Sequence, residues 1–293
     1  MTGIKYVLSF PFRYTPVKLA FSAVEPDGCE KDKAPIVLLH GITASKEYWN
    51  EIPQDIANAT KRKVYAIDSR NHGDSEWSDV FDFDCNVDDF LHFMDQNGIS
   101  KAILIGHSMG GITAFKTALT APERVEKLVV EDMSPKKPPK QIIDLVYLYA
   151  TLAQLALQQV PVGSDEETAR NVIIGFIEKS LPKEIQSLTR LHELRLQLKP
   201  TADGKFEFKS NITSLIQALK NSVDLMLEPT GVYDKPTCFI YGELSPFRVN
   251  SYEEEIKKLF PNYKLIGIPN AMHTVHNDCP KEFTDAIIKF IQE

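Results

Sequence analysis

Several things are missing from this chain of 293 residues, and each absence narrows its function. No apolar run reaches the length of about 20 residues that a membrane-spanning helix needs, so no integral membrane association is expected. There is no surplus of positive charge. The formal net charge is −7 and no basic stripe interrupts it, which argues against a nucleic-acid partner and gives no attraction to an anionic membrane. Cysteine is sparse: Cys29, Cys85, Cys238 and Cys279 are scattered without a CxxC pair. They read as reduced thiols, not as a disulfide or zinc framework. The seven histidines form no HExxH pattern, so neither a metal site nor a cofactor is expected. No coiled-coil heptads appear, which makes a monomer the default expectation.

What is present is ordinary for a globular protein with a sizeable core: 43 % hydrophobic and 25 % charged residues. Residues 1–24 lack acidic side chains and carry Lys5, Arg13 and Lys18, faintly like a mitochondrial transit peptide. Two proline steps, Phe10-Pro11 and Thr15-Pro16, break any amphipathic helix there. Val17–Val24 alternates apolar with small or polar residues, as a strand does. A cytoplasmic and a mitochondrial location both stay open.

From residue 35 strands and helices alternate. Strands are expected at 35–40, 63–68, 101–105 and 125–132, with helices at 45–59, 84–96 and 111–120. Such alternation means a mostly parallel sheet with helices on both faces. The rhythm stops at Pro135-Lys136-Lys137-Pro138-Pro139. Helical periodicity then fills 142–160, 164–179, 183–198 and 212–226, with one short strand at 205–209. The alternation returns at 237–242, followed by a helix at 252–259, a strand at 263–268 and a helix at 280–291. The expected organisation is therefore a core (1–134), a helical cap (135–230) and the rest of the core (231–293). A cap inserted there sits over the C-terminal ends of the strands, where open α/β sheets carry their sites.

The sharpest motif is Gly106-His107-Ser108-Met109-Gly110, between an apolar run and a helical one. Strand, tight turn with a serine, then helix is a nucleophile elbow, which strains the serine backbone and exposes its hydroxyl. Gly106 and Gly110 let strand and helix approach closely. The Met109 N–H opens the helix and can hold an oxyanion, and Ile42, after His40-Gly41, is the expected second donor. An activated serine needs a base at the same sheet edge. His273 follows the last strand and is the best placed; His276 is its competitor, and His107 reads as structural. The orienting acid has two candidates. Asp132 ends the strand at 125–132, 24 residues after the serine, and Glu243 follows the strand at 237–242. Arg70 and His72, in Asp68-Ser69-Arg70-Asn71-His72-Gly73-Asp74-Ser75, read as residues that hold loops in place.

Taken together, Leu39-His40-Gly41, the Asp68–Ser75 segment, Gly106–Gly111 and Asp132-Met133-Ser134-Pro135 resemble the small α/β-hydrolase esterases of the YbfF type. Their eukaryotic branch is the group around alpha/beta-hydrolase domain-containing protein eleven. The resemblance covers roughly residues 17–135 and 236–292. It implies an α/β-hydrolase fold with an eight-stranded-type sheet. It also implies a catalytic set of Ser108, Asp132 and His273, with Ser245 beside them, and hydrolysis of carboxylic esters, with acyl thioesters and diacylglycerol as further substrate classes. The family's Gly-His-Trp is Met272-His273-Thr274 here, and an aspartate of the eukaryotic relatives has Asn211-Ile212-Thr213 in its neighbourhood. The fold alone leaves other readings open: C–C hydrolysis, perhydrolysis, or a non-catalytic ligand-binding protein.

Overall fold

The computed structural model describes residues 14–183, 197–220 and 228–293. Its strands are β1 (Phe21–Val24), β2 (Ile36–Leu39), β3 (Val64–Ile67), β4 (Ala102–His107), β5 (Val125–Glu131), β6 (Leu198–Pro200), β7 (Phe206–Phe208), β8 (Thr237–Gly242) and β9 (Tyr263–Ile268). Seven of them form one sheet in the order β1-β3-β2-β4-β5-β8-β9, and β6 and β7 pair in a separate ribbon. Only β1 runs antiparallel in the main sheet; β2, β3, β4, β5, β8 and β9 pair in parallel. An eighth strand of that sheet is not found among the described residues.

The helices are α1 (Ile52–Thr60), α2 (Phe83–Gln96), α3 (Met109–Thr120), α4 (Lys140–Leu157), α5 (Glu166–Ser180), α6 (Ile212–Lys220), α7 (Glu253–Leu259), α8 (Val275–Asp278) and α9 (Pro280–Gln292). The central strands are apolar throughout because both faces are covered. Val37, Leu39, Leu104, Leu128, Val130 and Phe239 pack beneath α2, α3 and α7. Their alternating neighbours Ile36, Leu38, Ile103, Ile105, Val129 and Ile240 pack against α1 and α9. Each such side chain, fully buried, contributes about 1.5–3 kcal/mol. A one-residue slip of any strand would exchange its two faces.

Local rules set the element ends. Asp82 caps α2 by accepting from the Cys85 N–H at 2.7 Å, and Asp165 caps α5 by accepting from Thr168 N–H at 2.7 Å. The helix expected over 45–59 is divided into a 3-10 turn, Lys46–Trp49, and α1. Asn50, at φ 49°, reverses the chain between them, and Pro53 fits the first turn of α1. The expected strand over 17–24 is confined to Phe21–Val24.

Between β5 and β8 lie α4, α5, the β6–β7 ribbon and α6. Their own apolar cluster joins Ala150, Ala153, Ala156, Ile173, Ile177, Leu198 and Phe208. Most of the helix expected over 183–198, and the end of the one over 212–226, fall outside the described residues. At the start of α6 the Asn211 N–H donates to Asn71 O (2.8 Å), and Ser214 Oγ donates to Ser78 O (3.3 Å). The segment is thus fastened to the loop that follows β3. No helix among the described residues is long and apolar enough to cross a membrane.

Candidate active site

The parallel strands end along one edge, and the loops leaving β2, β4, β5, β8 and β9 converge there. Ser108 follows β4 with φ 52° and ψ −113°, a conformation outside the regions a non-glycine residue normally occupies. Two glycines make this turn possible. A Cβ on Gly106 would lie 2.3 Å from Gly110 O, at the start of α3. A Cβ on Gly110 would lie 2.1 Å from Leu39 O. The second glycine therefore admits the neighbouring strand β2, not β4, which the motif alone does not show. Ser108 N–H donates to Glu131 O at 3.0 Å, which locks the elbow to β5.

Three predicted residues meet around that serine. His273 Nε2 lies 3.0 Å from Ser108 Oγ, and His273 Nδ1 lies 2.7 Å from Asp132 Oδ2. A carboxylate accepts only, so Nδ1 carries the proton and Nε2 is left to take one from the serine. Asp132 is fully buried and, at φ 48°, turns sharply out of β5 with its N–H on Ile240 O (2.8 Å). Its Oδ1 accepts from Gly242 N–H at 3.1 Å, and its Oδ2 also accepts from Ser245 Oγ–H. Ser245 Oγ in turn accepts from Phe247 N–H at 3.2 Å. The Phe247 ring is stacked on His273, with centroids 4.0 Å apart and planes 13° apart. Glu243, the competing acid, is exposed and lies over Gly267 of β9; among the described residues it has no hydrogen bond to His273.

The loop after β2 lies against the elbow. A Cβ on Gly41 would meet His107 Nδ1 at 2.6 Å and Ser108 Cβ at 3.5 Å. Neither the Ile42 nor the Met109 N–H donates to another described residue. The loop is held from behind by two buried histidines. Thr43, at φ 61°, donates its N–H to His72 Nε2 at 3.1 Å, and Ser69 N–H donates to His40 Nε2 at 3.0 Å. Each ring donates from Nδ1 to a carbonyl, His72 to Arg70 O and His40 to Gly41 O. Burial pushes His40 down to about 4 and His72 to about 3, the latter helped by His40 alongside, so both are neutral. Arg70 points away, forming a buried two-pronged pair with Asp89 at 2.5 and 2.8 Å. Both Arg70 and His72 thus serve the loops.

His276 does not face the serine. Its Nδ1 lies 2.8 Å from both oxygens of Glu131, and its backbone N–H donates to Glu131 Oε1 at 2.9 Å. Burial pushes the Glu131 carboxyl up to about 7. His107 is also buried, and burial pushes it down to about 3. Its Nε2 donates to His273 O at 3.0 Å. Glu131, the helical turn α8 and the Phe247 stack were not expected from the sequence. The only hint was the adjacency Glu131-Asp132 opposite two histidines three residues apart. Among the described residues no cluster of histidine, cysteine, aspartate or glutamate is arranged to hold a metal ion.

Known proteins share this arrangement of chain. The family profile described as "alpha/beta hydrolase fold" matches residues 34–278. A zebrafish (Danio rerio) protein named sn-1-specific diacylglycerol lipase ABHD11 is 34 % identical over 280 residues, spanning 95 % of this chain and 84 % of that protein. The mouse (Mus musculus) protein of the same name is 30 % identical over 276 residues, spanning 94 % of this chain and 86 % of its own. Among solved structures, one titled marine microorganism esterase superposes with a TM-score of 0.76 at 27 % identity, covering 94 % of this chain and 99 % of that one. A profile matched over more than half the length, on a sheet whose loops converge as described, makes this chain a member of the alpha/beta hydrolase fold family.

Proposed function

We propose that this chain is a serine hydrolase that cleaves carboxylic esters through an acyl-Ser108 intermediate. The observation that carries the reading is the unbroken line from Ser108 Oγ through both His273 nitrogens to Asp132, at 3.0 and 2.7 Å. His273 Nε2 takes the Ser108 proton as the oxygen attacks the ester carbonyl. The Ile42 and Met109 N–H groups receive the oxyanion of the tetrahedral intermediate. His273 gives its proton to the departing alkoxide, and the alcohol leaves. Water, deprotonated by His273, then attacks the acyl-enzyme and releases the acid, which restores Ser108. Asp132 holds His273 in the required tautomer and stabilises the imidazolium, and Ser245 holds Asp132.

The substrate class is an acyl ester with an apolar acyl group. The lipase and esterase names of the relatives support it. Glycerolipid esters such as diacylglycerol, and acyl thioesters, fall within the same chemistry. The test is hydrolysis of p-nitrophenyl esters from acetate to palmitate by wild type and Ser108→Ala. Turnover that vanishes in Ser108→Ala supports the reading, and the chain-length optimum sizes the acyl pocket. A wild type inert on every ester favours a ligand-binding role for the elbow.

A further inference from the structure

β5 ends in two consecutive buried carboxylates, and each faces its own histidine. Asp132 meets His273, and Glu131 meets His276. The mechanism uses only the first pair. The second is a buried ionisable group with no role in the proton transfers, and burying it is costly unless its hydrogen bonds are made. They are made, and all go to one place. Both Glu131 oxygens accept from the His276 ring, and one accepts from the His276 N–H. His276 opens no route to Ser108, but it lies in α8, directly after the loop that carries His273.

The same loop is tied at two further points. His107 Nε2 donates to the carbonyl of His273 itself, and the Met272 N–H donates to Asp278 Oδ2 at 2.7 Å. The His107 ring sits between the two histidines, 4.9 Å from His273 and 5.1 Å from His276. Trp49 backs His276 at 4.7 Å. The imidazole of His273 is partly open to solvent, its side chain 28 % exposed, so its own burial does not fix it. Its backbone is fixed instead from β4 by His107 and from β5 by Glu131.

We propose that Glu131, acting through His276 and together with His107, is a positioning residue that holds the His273 loop so that Nε2 stays in line with Ser108. This rests on the serine-hydrolase reading above. Removal of the clamp leaves Ser108 and the Ile42 and Met109 oxyanion donors in place and lets the base drift. A misplacement of about 1 Å lowers the chemical step by about 100-fold. The effect falls on kcat, because the clamp lies behind the triad and not in the substrate's path.

The experiment compares p-nitrophenyl ester kinetics, fluorophosphonate labelling and thermal unfolding in wild type and three variants. Glu131→Ala is expected to lose about 100-fold in kcat and in labelling rate, with KM within about threefold. Glu131→Gln retains an acceptor for the His276 N–H and is expected to recover most of the rate. Glu131→Ala orphans a buried imidazole and can unfold the chain, so the third variant replaces both partners: Glu131→Leu with His276→Phe. The apolar pair leaves no orphaned imidazole and still packs on Trp49; the backbone N–H of residue 276 alone loses its acceptor, which costs some stability. The double variant is expected to stay folded and to be as slow as Glu131→Ala. A folded double variant with wild-type kcat and labelling rate overturns the clamp while leaving the triad intact. A wild type that neither turns over esters nor labels overturns the serine-hydrolase reading and the clamp with it.

Discussion

Replacing Asp132 by asparagine changes one atom and should nearly abolish turnover, and the structure says why. Asparagine tolerates the left-handed backbone at φ 48° as well as aspartate does, so the turn survives. The orientation of the new amide is set by Gly242, whose N–H donates to Oδ1 at 3.1 Å. That position must hold the amide oxygen. The NH2 group then falls at the Oδ2 position, 2.7 Å from His273 Nδ1. Two donors cannot face each other, so His273 moves its proton to Nε2. An imidazole protonated at Nε2 cannot accept the Ser108 proton. The wrong tautomer costs about 10^4-fold in kcat, equivalent to about 5 kcal/mol of transition-state stabilisation. Steady-state hydrolysis of a p-nitrophenyl ester measures this, alongside circular dichroism to show that the variant is folded. A folded Asp132→Asn within tenfold of wild type would show that Asp132 is not the orienting acid.

Three further outcomes follow from the same geometry. Ser245→Ala removes one charge-assisted bond to Asp132; kcat should fall about three- to tenfold at unchanged KM, a loss of about 1 kcal/mol, and an unchanged kcat argues against its supporting role. Gly110→Ala places a methyl 2.1 Å from Leu39 O, so it should destabilise by about 3 kcal/mol or more in urea unfolding, and a neutral result contradicts the packing at the elbow. Acid should destabilise the fold. His40, His72 and His107 are held neutral at about 4, 3 and 3, below their ordinary value, so the unfolded chain binds more protons as pH falls below about 6.5. Stability is present above that pH and is lost toward pH 4. Between pH 7 and 5 the three together cost about 6 kcal/mol. Glu131, raised to about 7, works the other way and offsets about 2 of these, leaving a net loss of about 4 kcal/mol. Urea midpoints at the two pH values read this directly; a flat profile contradicts the neutral buried histidines.

The parts of the site legible in the sequence are those with local causes. Ser108 was readable because the elbow writes its steric needs into five adjacent residues, and the strand and helix around it follow from hydrophobic periodicity. His273 was readable from chain order, because the base must follow the last strand of this sheet. Asp132 and Glu243 stayed alternatives on spacing, because both end strands at the same edge; the structure separates them by which carboxylate reaches His273. The clamp was not legible. Glu131 and His276 are 145 positions apart, and only the parallel order of β5, β8 and β9 brings them together. Register also hid the role of Gly110, which answers to a strand some 70 residues upstream of it. The single helix expected over 45–59 failed for a related reason. Periodicity sees the apolar face of Trp49, Ile52 and Ile56, but not the turn at Asn50 between them.

The most direct test of the central claim is covalent. Wild-type protein is treated with a fluorophosphonate, and the modified peptide is identified by mass spectrometry. A single adduct on Ser108 is expected, formed quickly in wild type, slowly in Asp132→Asn and not at all in Ser108→Ala. A wild type that forms no adduct, or forms it on another residue, would contradict the assignment of Ser108 as the nucleophile.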